Sequence, residues 1–119
     1  MTGMNPRLRI LFICAMNLKR SPTAERLYCN DARLEVRSAG VRPAAKRRVS
    51  ENDLRWADIV FVMEREHKRW LREQFAGLEL PRIEVLDIPD EYEYMDSNLQ
   101  EILRLTLDPE INALMRPVT

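Results

Sequence analysis

Apolar and polar positions along the chain follow two periods, and their alternation predicts strands interleaved with helices. Residues 10–13 (Ile-Leu-Phe-Ile) form a short unbroken apolar run, and residues 58–63 place five apolar side chains behind a single acid. Such runs suit strands buried on both faces of a parallel sheet. Residues 34–39 alternate instead, with Leu34, Val36 and Ala39 set against Glu35 and Arg37, which predicts an edge strand ending at Gly40. Residues 83–88 predict a fourth strand.

Helical spacing fills the intervals. A first helix is predicted over residues 22–30, with Ser21 as N-cap, Pro22 at its first position, and Ala24, Leu27 and Tyr28 facing inward. Ser50 and Asp53 have capping-box spacing ahead of a short helix that carries Leu54 and Trp56. A third helix over residues 64–77 carries Trp70, Leu71 and Phe75 at helical spacing, with Leu78 just beyond its stop at Gly77. The last helix covers residues 98–107, and Asp108-Pro109 reads as a cap and restart for a short helix through Met115. Strands alternating with helices imply one α/β domain, residues 1–119, with an open parallel sheet covered on both faces. In that architecture a ligand site lies beyond the carboxyl end of the first strand.

Composition narrows the classes. The chain is 45% apolar and 32% charged, without a run long enough to cross a bilayer, so no membrane partner is expected. Residues 10–13 are too brief for a signal peptide, and two cysteines in an otherwise unstapled chain suggest a reducing compartment, with the cytoplasm as the expected location. Net charge is zero but unevenly divided: residues 1–50 hold eleven basic and three acidic residues, a balance of +8. No recognition motif accompanies this charge, so it reads as an anion-binding pole with solvated helix faces, and no nucleic-acid partner is expected. The single histidine, His67, falls on the apolar stripe of the third helix and reads as packed; Cys29 likewise reads as a packing residue. With no second histidine and no close-set cysteine pair, neither a metal nor a cofactor is expected.

The candidate chemistry sits between the first strand and the first helix, in Cys14-Ala15-Met16-Asn17-Leu18-Lys19-Arg20-Ser21-Pro22. A loop closing onto a helix start turns several backbone N–H groups into one concavity, where the helix dipole adds positive potential. Arg20 adds a planar fork able to hold two oxygens of a tetrahedral oxyanion. A thiolate is favoured in such a field, and the Ser21 hydroxyl is placed to donate to it. Residues Ala15, Met16, Asn17, Leu18, Lys19, Arg20 and Ser21 are therefore read as a phosphate cradle with the Cys14 nucleophile at its floor. Attack on phosphorus then needs a proton for the leaving group. The acids at Asp87, Asp90 and Asp96, in and beside the aromatic residues 89–96, offer it, with Tyr92 and Tyr94 as walls for an aryl group.

The order strand, Cys-x5-Arg-Ser-Pro, helix resembles the phosphate loop of the low-molecular-weight protein tyrosine phosphatases, and Asn17 falls where that family keeps a loop-holding Asn. The Val36-Arg37-Ser38-Ala39-Gly40 and Ala57-Asp58-Ile59-Val60-Phe61-Val62-Met63 segments resemble its second and third strands. Four departures stand out: Met16 replaces a usual Gly, Lys19 replaces a frequent second Cys, Glu91 replaces the Pro of an Asp-Pro-Tyr acid loop, and residues 41–49 form a shortened substrate loop. The resemblance implies a phosphatase-I-like, three-layer α/β/α fold with a four-stranded sheet in the order 2-1-3-4. It further implies hydrolysis of phosphotyrosine proteins or small aryl phosphates through a cysteinyl-phosphate, with Asp90, two residues before Tyr92, as the best match to the family's general acid, Asp87 and Asp96 as competitors, and phosphate and sulfate as inhibitory anions. The alternatives on the same fold are a non-catalytic phosphate- or phosphoprotein-binding module and a thiol-dependent arsenate reductase.

Overall fold

The computed structural model describes residues 7–116, so the expected domain of residues 1–119 extends past them at both ends. Four strands form the sheet: β1 (Leu8–Cys14), β2 (Leu34–Gly40), β3 (Ile59–Val62) and β4 (Arg82–Val85). All pairings are parallel and the spatial order is β2-β1-β3-β4, as expected, with Cys14 opposite Gly40 and Ile13 opposite Val62. The helices are α1 (Arg20–Tyr28), α2 (Glu51–Trp56), α3 (Arg65–Gln74) and α4 (Ser97–Leu114).

Alternate residues of β1 feed opposite faces, as the two-residue strand period requires. Ile10 and Phe12 pack with Phe61 against α1 and α4, through Ala24, Tyr28, Leu99, Leu103, Leu107 and Ile111. Leu11 and Ile13 pack with Val60 and Val62 against α2 and α3, through Leu54 and Leu71. The three-layer arrangement follows from these two cores. The Ser50–Asp53 capping box forms as predicted and starts α2.

Element boundaries differ from the sequence expectation at several points; β1 starts earlier, at Leu8, and α3 ends at Gln74 rather than at Gly77. Helix α1 begins at Arg20 rather than Pro22, and Lys19 occupies its N-cap position without a side-chain cap. Pro22 remains compatible because the first turn needs no N–H partner there. β4 stops at Val85 because Asp87 adopts a left-handed backbone (φ 56°), although the Leu86 and Ile88 N–H groups still bond to Val62 and Met63. The expected break at Asp108-Pro109 is absent: α4 is one helix of 18 residues with Pro109 inside it. Its buried stripe of Leu99, Leu103, Leu107 and Ile111 continues at four-residue spacing across the proline, so packing on both sides holds the helix together. The carbonyl that Pro109 leaves unpaired belongs to Leu105, on the solvent side, where the side chain is 69% exposed.

Candidate active site

β1 delivers Cys14 to the carboxyl edge of the sheet, and six residues later α1 begins. The Cys14 side chain is buried; its Sγ accepts the Asn17 N–H at 3.3 Å and lies 3.0 Å from Ser21 Oγ. Ser21, freed from the N-cap position, is thus committed to the sulfur. Asn17 carries the one left-handed backbone of the loop (φ 56°), a conformation Asn tolerates well. Met16, at the position of a family glycine, does not adopt that conformation, so its side chain meets no backbone objection.

A side-chain chain fixes the loop. Asn17 Nδ2 donates to Ser21 Oγ at 3.1 Å and to Ser38 Oγ at 2.9 Å, and Ser38 Oγ donates to Glu25 Oε1 at 2.5 Å. Ser21 Oγ accepts from Asn17 and keeps one proton, which faces the sulfur at 3.0 Å and the Ala39 carbonyl at 3.4 Å. Backbone bonds add a second fastening: Val41, Arg42 and Lys46 donate N–H groups to the carbonyls of Cys14, Ala15 and Met16 at 3.1, 3.0 and 2.9 Å. The basic loop of residues 41–49 therefore serves as a strap behind the Cys14–Ser21 loop, the expected phosphate loop.

Arg20 is 2% exposed. Its Nη1 donates to Glu64 Oε2 at 2.6 Å and to the Ile88 carbonyl at 2.7 Å, while its Nε lies 3.7 Å from Asp90 Oδ1. A buried guanidinium needs such compensation, and the carboxylate of Glu64 supplies it. Sequence reasoning missed Glu64; the available signal was an acid directly after a buried strand, at the mouth of the next helix. Ile88 contributes only its backbone, which no residue pattern marks.

Cys14, Met16, Leu18, Lys19, Arg20 and Asp90 line one cavity of about 190 Å³. The three candidate acids separate by what holds them. Asp90 is in the cavity wall; Asp87 lies 3.9 Å from Arg65; Asp96 caps α4, accepting the Asn98 and Leu99 N–H groups. Tyr92 packs against the core and Tyr94 lines a neighbouring cavity, so neither contributes to the wall of the Cys14 cavity. Lys19 sits at the rim and pairs with Glu93 at 3.1 Å.

His67 is buried, but at a polar junction behind Arg20 rather than in a purely apolar stripe. Its Nδ1 accepts the Glu64 N–H at 3.2 Å, which puts the ring proton on Nε2. Nε2 has no hydrogen-bond partner and lies 3.9 Å from Glu64 Oε2. Burial, with the positive charge of Arg20 second, holds the imidazole below its ordinary pKa and therefore neutral. Glu64, Glu66 and His67 bring their ligand atoms within 4.8 Å of one another. A metal there would need the Nε2 lone pair, which the tautomer denies, and the Glu64 oxygen already held by Arg20. Cys29 is not a packing residue: it is an exposed free thiol just past the end of α1, donating to the Arg26 carbonyl at 3.3 Å.

No family model and no curated protein matches the sequence. Solved structures do match the fold. A low-molecular-weight protein tyrosine phosphatase from T. tengcongensis superposes with a TM-score of 0.73 at 25% identity, covering 89% of this chain and 99% of its own. The YwlE arginine phosphatase from Geobacillus stearothermophilus gives a TM-score of 0.70 at 23% identity, covering 94% of this chain and 99% of its own. The tyrosine phosphatase Wzb from Escherichia coli K30, solved with phosphate, gives 0.68 at 22% identity, covering 89% and 97%. The sheet order and the cysteine loop thus agree with the resemblance carried by the sequence: the chain has the fold of the low-molecular-weight protein tyrosine phosphatases over about nine-tenths of its length.

Proposed function

We propose that the chain is a cysteine-dependent phosphomonoesterase acting on phosphotyrosine or similar aryl phosphates. One observation carries the reading: Cys14, Arg20 and Asp90 line a single cavity, with the sulfur already held by Asn17 N–H and Ser21 Oγ. The Cys14 sulfur attacks phosphorus, the S–P bond forms as the P–O bond to the leaving group breaks, and Asp90 delivers a proton to the departing oxygen. Arg20 and the loop N–H groups hold the equatorial oxygens, where charge is fixed in advance rather than reorganised during the reaction. Asp90, now ionised, takes a proton from water as it attacks the cysteinyl-phosphate, and phosphate leaves with the sulfur restored. The Ser21 hydroxyl stabilises that sulfur as it departs. No step calls for a metal.

Met16 and Leu18 give the cavity apolar flanks. These surroundings suit an aryl ring better than the charged guanidino group of a phosphoarginine, the substrate class named for the Geobacillus neighbour. Hydrolysis of p-nitrophenyl phosphate from about pH 5 to 8, with EDTA present, tests the proposal. Cys14→Ser is expected to abolish turnover, and retained activity would overturn the mechanism. Asp90→Ala is expected to lower kcat by about 10²–10⁴-fold. A normal rate in that variant would remove Asp90 from its role.

A further inference from the structure

A second cavity, of about 530 Å³, adjoins the one that holds Cys14. Leu18 lines both, so the two spaces meet across a single side chain of the phosphate loop. Pro22 and Arg26 of α1, Lys46 of the strap and Tyr94 of the acidic loop complete much of the larger wall. Leu18 and Tyr94 are 49% and 51% exposed, and with Leu105 they are the exposed large apolar side chains among the described residues. Two of those three therefore face one depression beside the catalytic sulfur.

The rim is cationic. Arg26 and Lys46 form no ion pair among the described residues, and they outnumber the one acid of the lining, Glu25, whose Oε1 is turned to the Ser38 hydroxyl. Lys46 is also held in register with the site, because its N–H bonds to the Met16 carbonyl at 2.9 Å. Of these features a free aryl phosphate seated over Cys14 uses Leu18 alone. A polypeptide uses the others: an extended chain advances about 3.3 Å per residue, so the residues next to a bound phosphotyrosine pass directly over the neighbouring depression. Its apolar floor and unpaired cations fit an acidic side chain and the apolar stem that carries it.

We propose that this cavity is a subsite for the polypeptide flanking the phosphorylated residue and that it selects an acidic side chain there. The proposal rests on the phosphatase reading and narrows its substrate from aryl phosphates in general to phosphotyrosine proteins with acidic flanks.

The test uses two fluorescein-labelled phosphotyrosine peptides, identical except for Glu or Gln at the flanking positions. Their binding to the Cys14→Ser protein is measured by anisotropy at low and high salt. The Glu peptide is expected to bind roughly fivefold tighter, with the difference shrinking as salt rises. In the Arg26→Ala/Lys46→Ala variant the two peptides should bind alike, at the affinity of the Gln peptide. The same pair of substitutions in the otherwise native chain should leave kcat/KM for p-nitrophenyl phosphate unchanged. Equal binding of both peptides, or equal loss of both in the variant, would overturn the subsite. Discrimination by a native chain that fails to hydrolyse p-nitrophenyl phosphate would instead overturn the hydrolase and leave the subsite standing.

Discussion

Gly40 gives the sharpest test of how the phosphate loop is held. It ends β2 directly opposite Cys14. A Cβ at this position would lie 2.6 Å from the Ala45 Cβ, 2.7 Å from the Ala15 carbonyl oxygen and 3.0 Å from the Asn17 nitrogen. Two of those three neighbours are backbone atoms of the phosphate loop, and none is a flexible side-chain end. Gly40 has little freedom to retreat, since its N–H bonds to Arg47 at 2.8 Å and its carbonyl accepts from Val49 at 2.9 Å. Comfortable contacts between heavy atoms begin near 3.5 Å, so Gly40→Ala must displace the loop or the strap by about 0.5–1 Å. Overpacking on this scale costs about 1–3 kcal/mol of stability. A misplacement near 1 Å at a reacting centre costs about 100-fold in rate. The expectation is therefore a loss of about 100-fold in kcat/KM for p-nitrophenyl phosphate in a protein that still unfolds cooperatively in urea. Gly77→Ala is the control, because a Cβ there meets nothing within 4 Å and activity should be unchanged. Native activity in Gly40→Ala would show that the close approach does not position the loop.

Two further perturbations address the groups behind Arg20. Glu64→Gln keeps an acceptor but removes the charge that faces Arg20 Nη1 at 2.6 Å, so phosphate should inhibit the variant about tenfold more weakly and stability should fall by about 1–3 kcal/mol; unchanged phosphate inhibition would refute the link to Arg20. His67→Gln retains an acceptor for the Glu64 N–H but cannot titrate. Because the folded-state pKa of His67 is lowered, the unfolded chain binds the proton first, and the contribution to stability is full above the unfolded value of about 6.5 and declines as pH falls below it. Urea midpoints measured from about pH 7.5 to 5 should therefore fall more for the native chain than for His67→Gln, and parallel curves would contradict the neutral buried ring.

Elements whose own residues decide them were readable in advance. The unbroken run of β3, the alternation of β2 and the Ser50–Asp53 box each depend on near neighbours, and each appears in the structure. The differences arise where a distant partner outbids the local preference. Ser21 is a good N-cap by type, yet its hydroxyl lies 3.0 Å from the Cys14 sulfur and the helix starts two residues earlier than expected. Pro109 is a good helix start by type, yet four leucine and isoleucine side chains buried along one face carry α4 straight through it. In both cases tertiary contacts supply more than a cap or a single backbone bond can return.

The site divides in the same way. Cys14, Arg20 and Ser21 share one short segment, so their relation is visible as spacing. Gly40, Glu64, Ile88 and Asp90 are separated from it in sequence by tens of residues, and only the strand order brings them in. Yet the order 2-1-3-4 places the ends of β2 and β3 on either side of β1, with β4 beyond. The residue ending β2 then faces Cys14, the second residue beyond β3 reaches Arg20, and the loop beyond β4 supplies a carbonyl and a carboxylate to the same guanidinium. The ends of β2 and β3 contribute one group each and the end of β4 two, and the contributions differ in kind: space at Gly40, charge at Glu64, an acceptor at Ile88 and a carboxylate at Asp90. A carboxylate is needed at the end of β3 because Arg20 is buried and its charge must be met from within the protein, whereas Asp90 is 61% exposed to solvent. The buried Arg20 thus ties the separate strand ends to the cysteine loop.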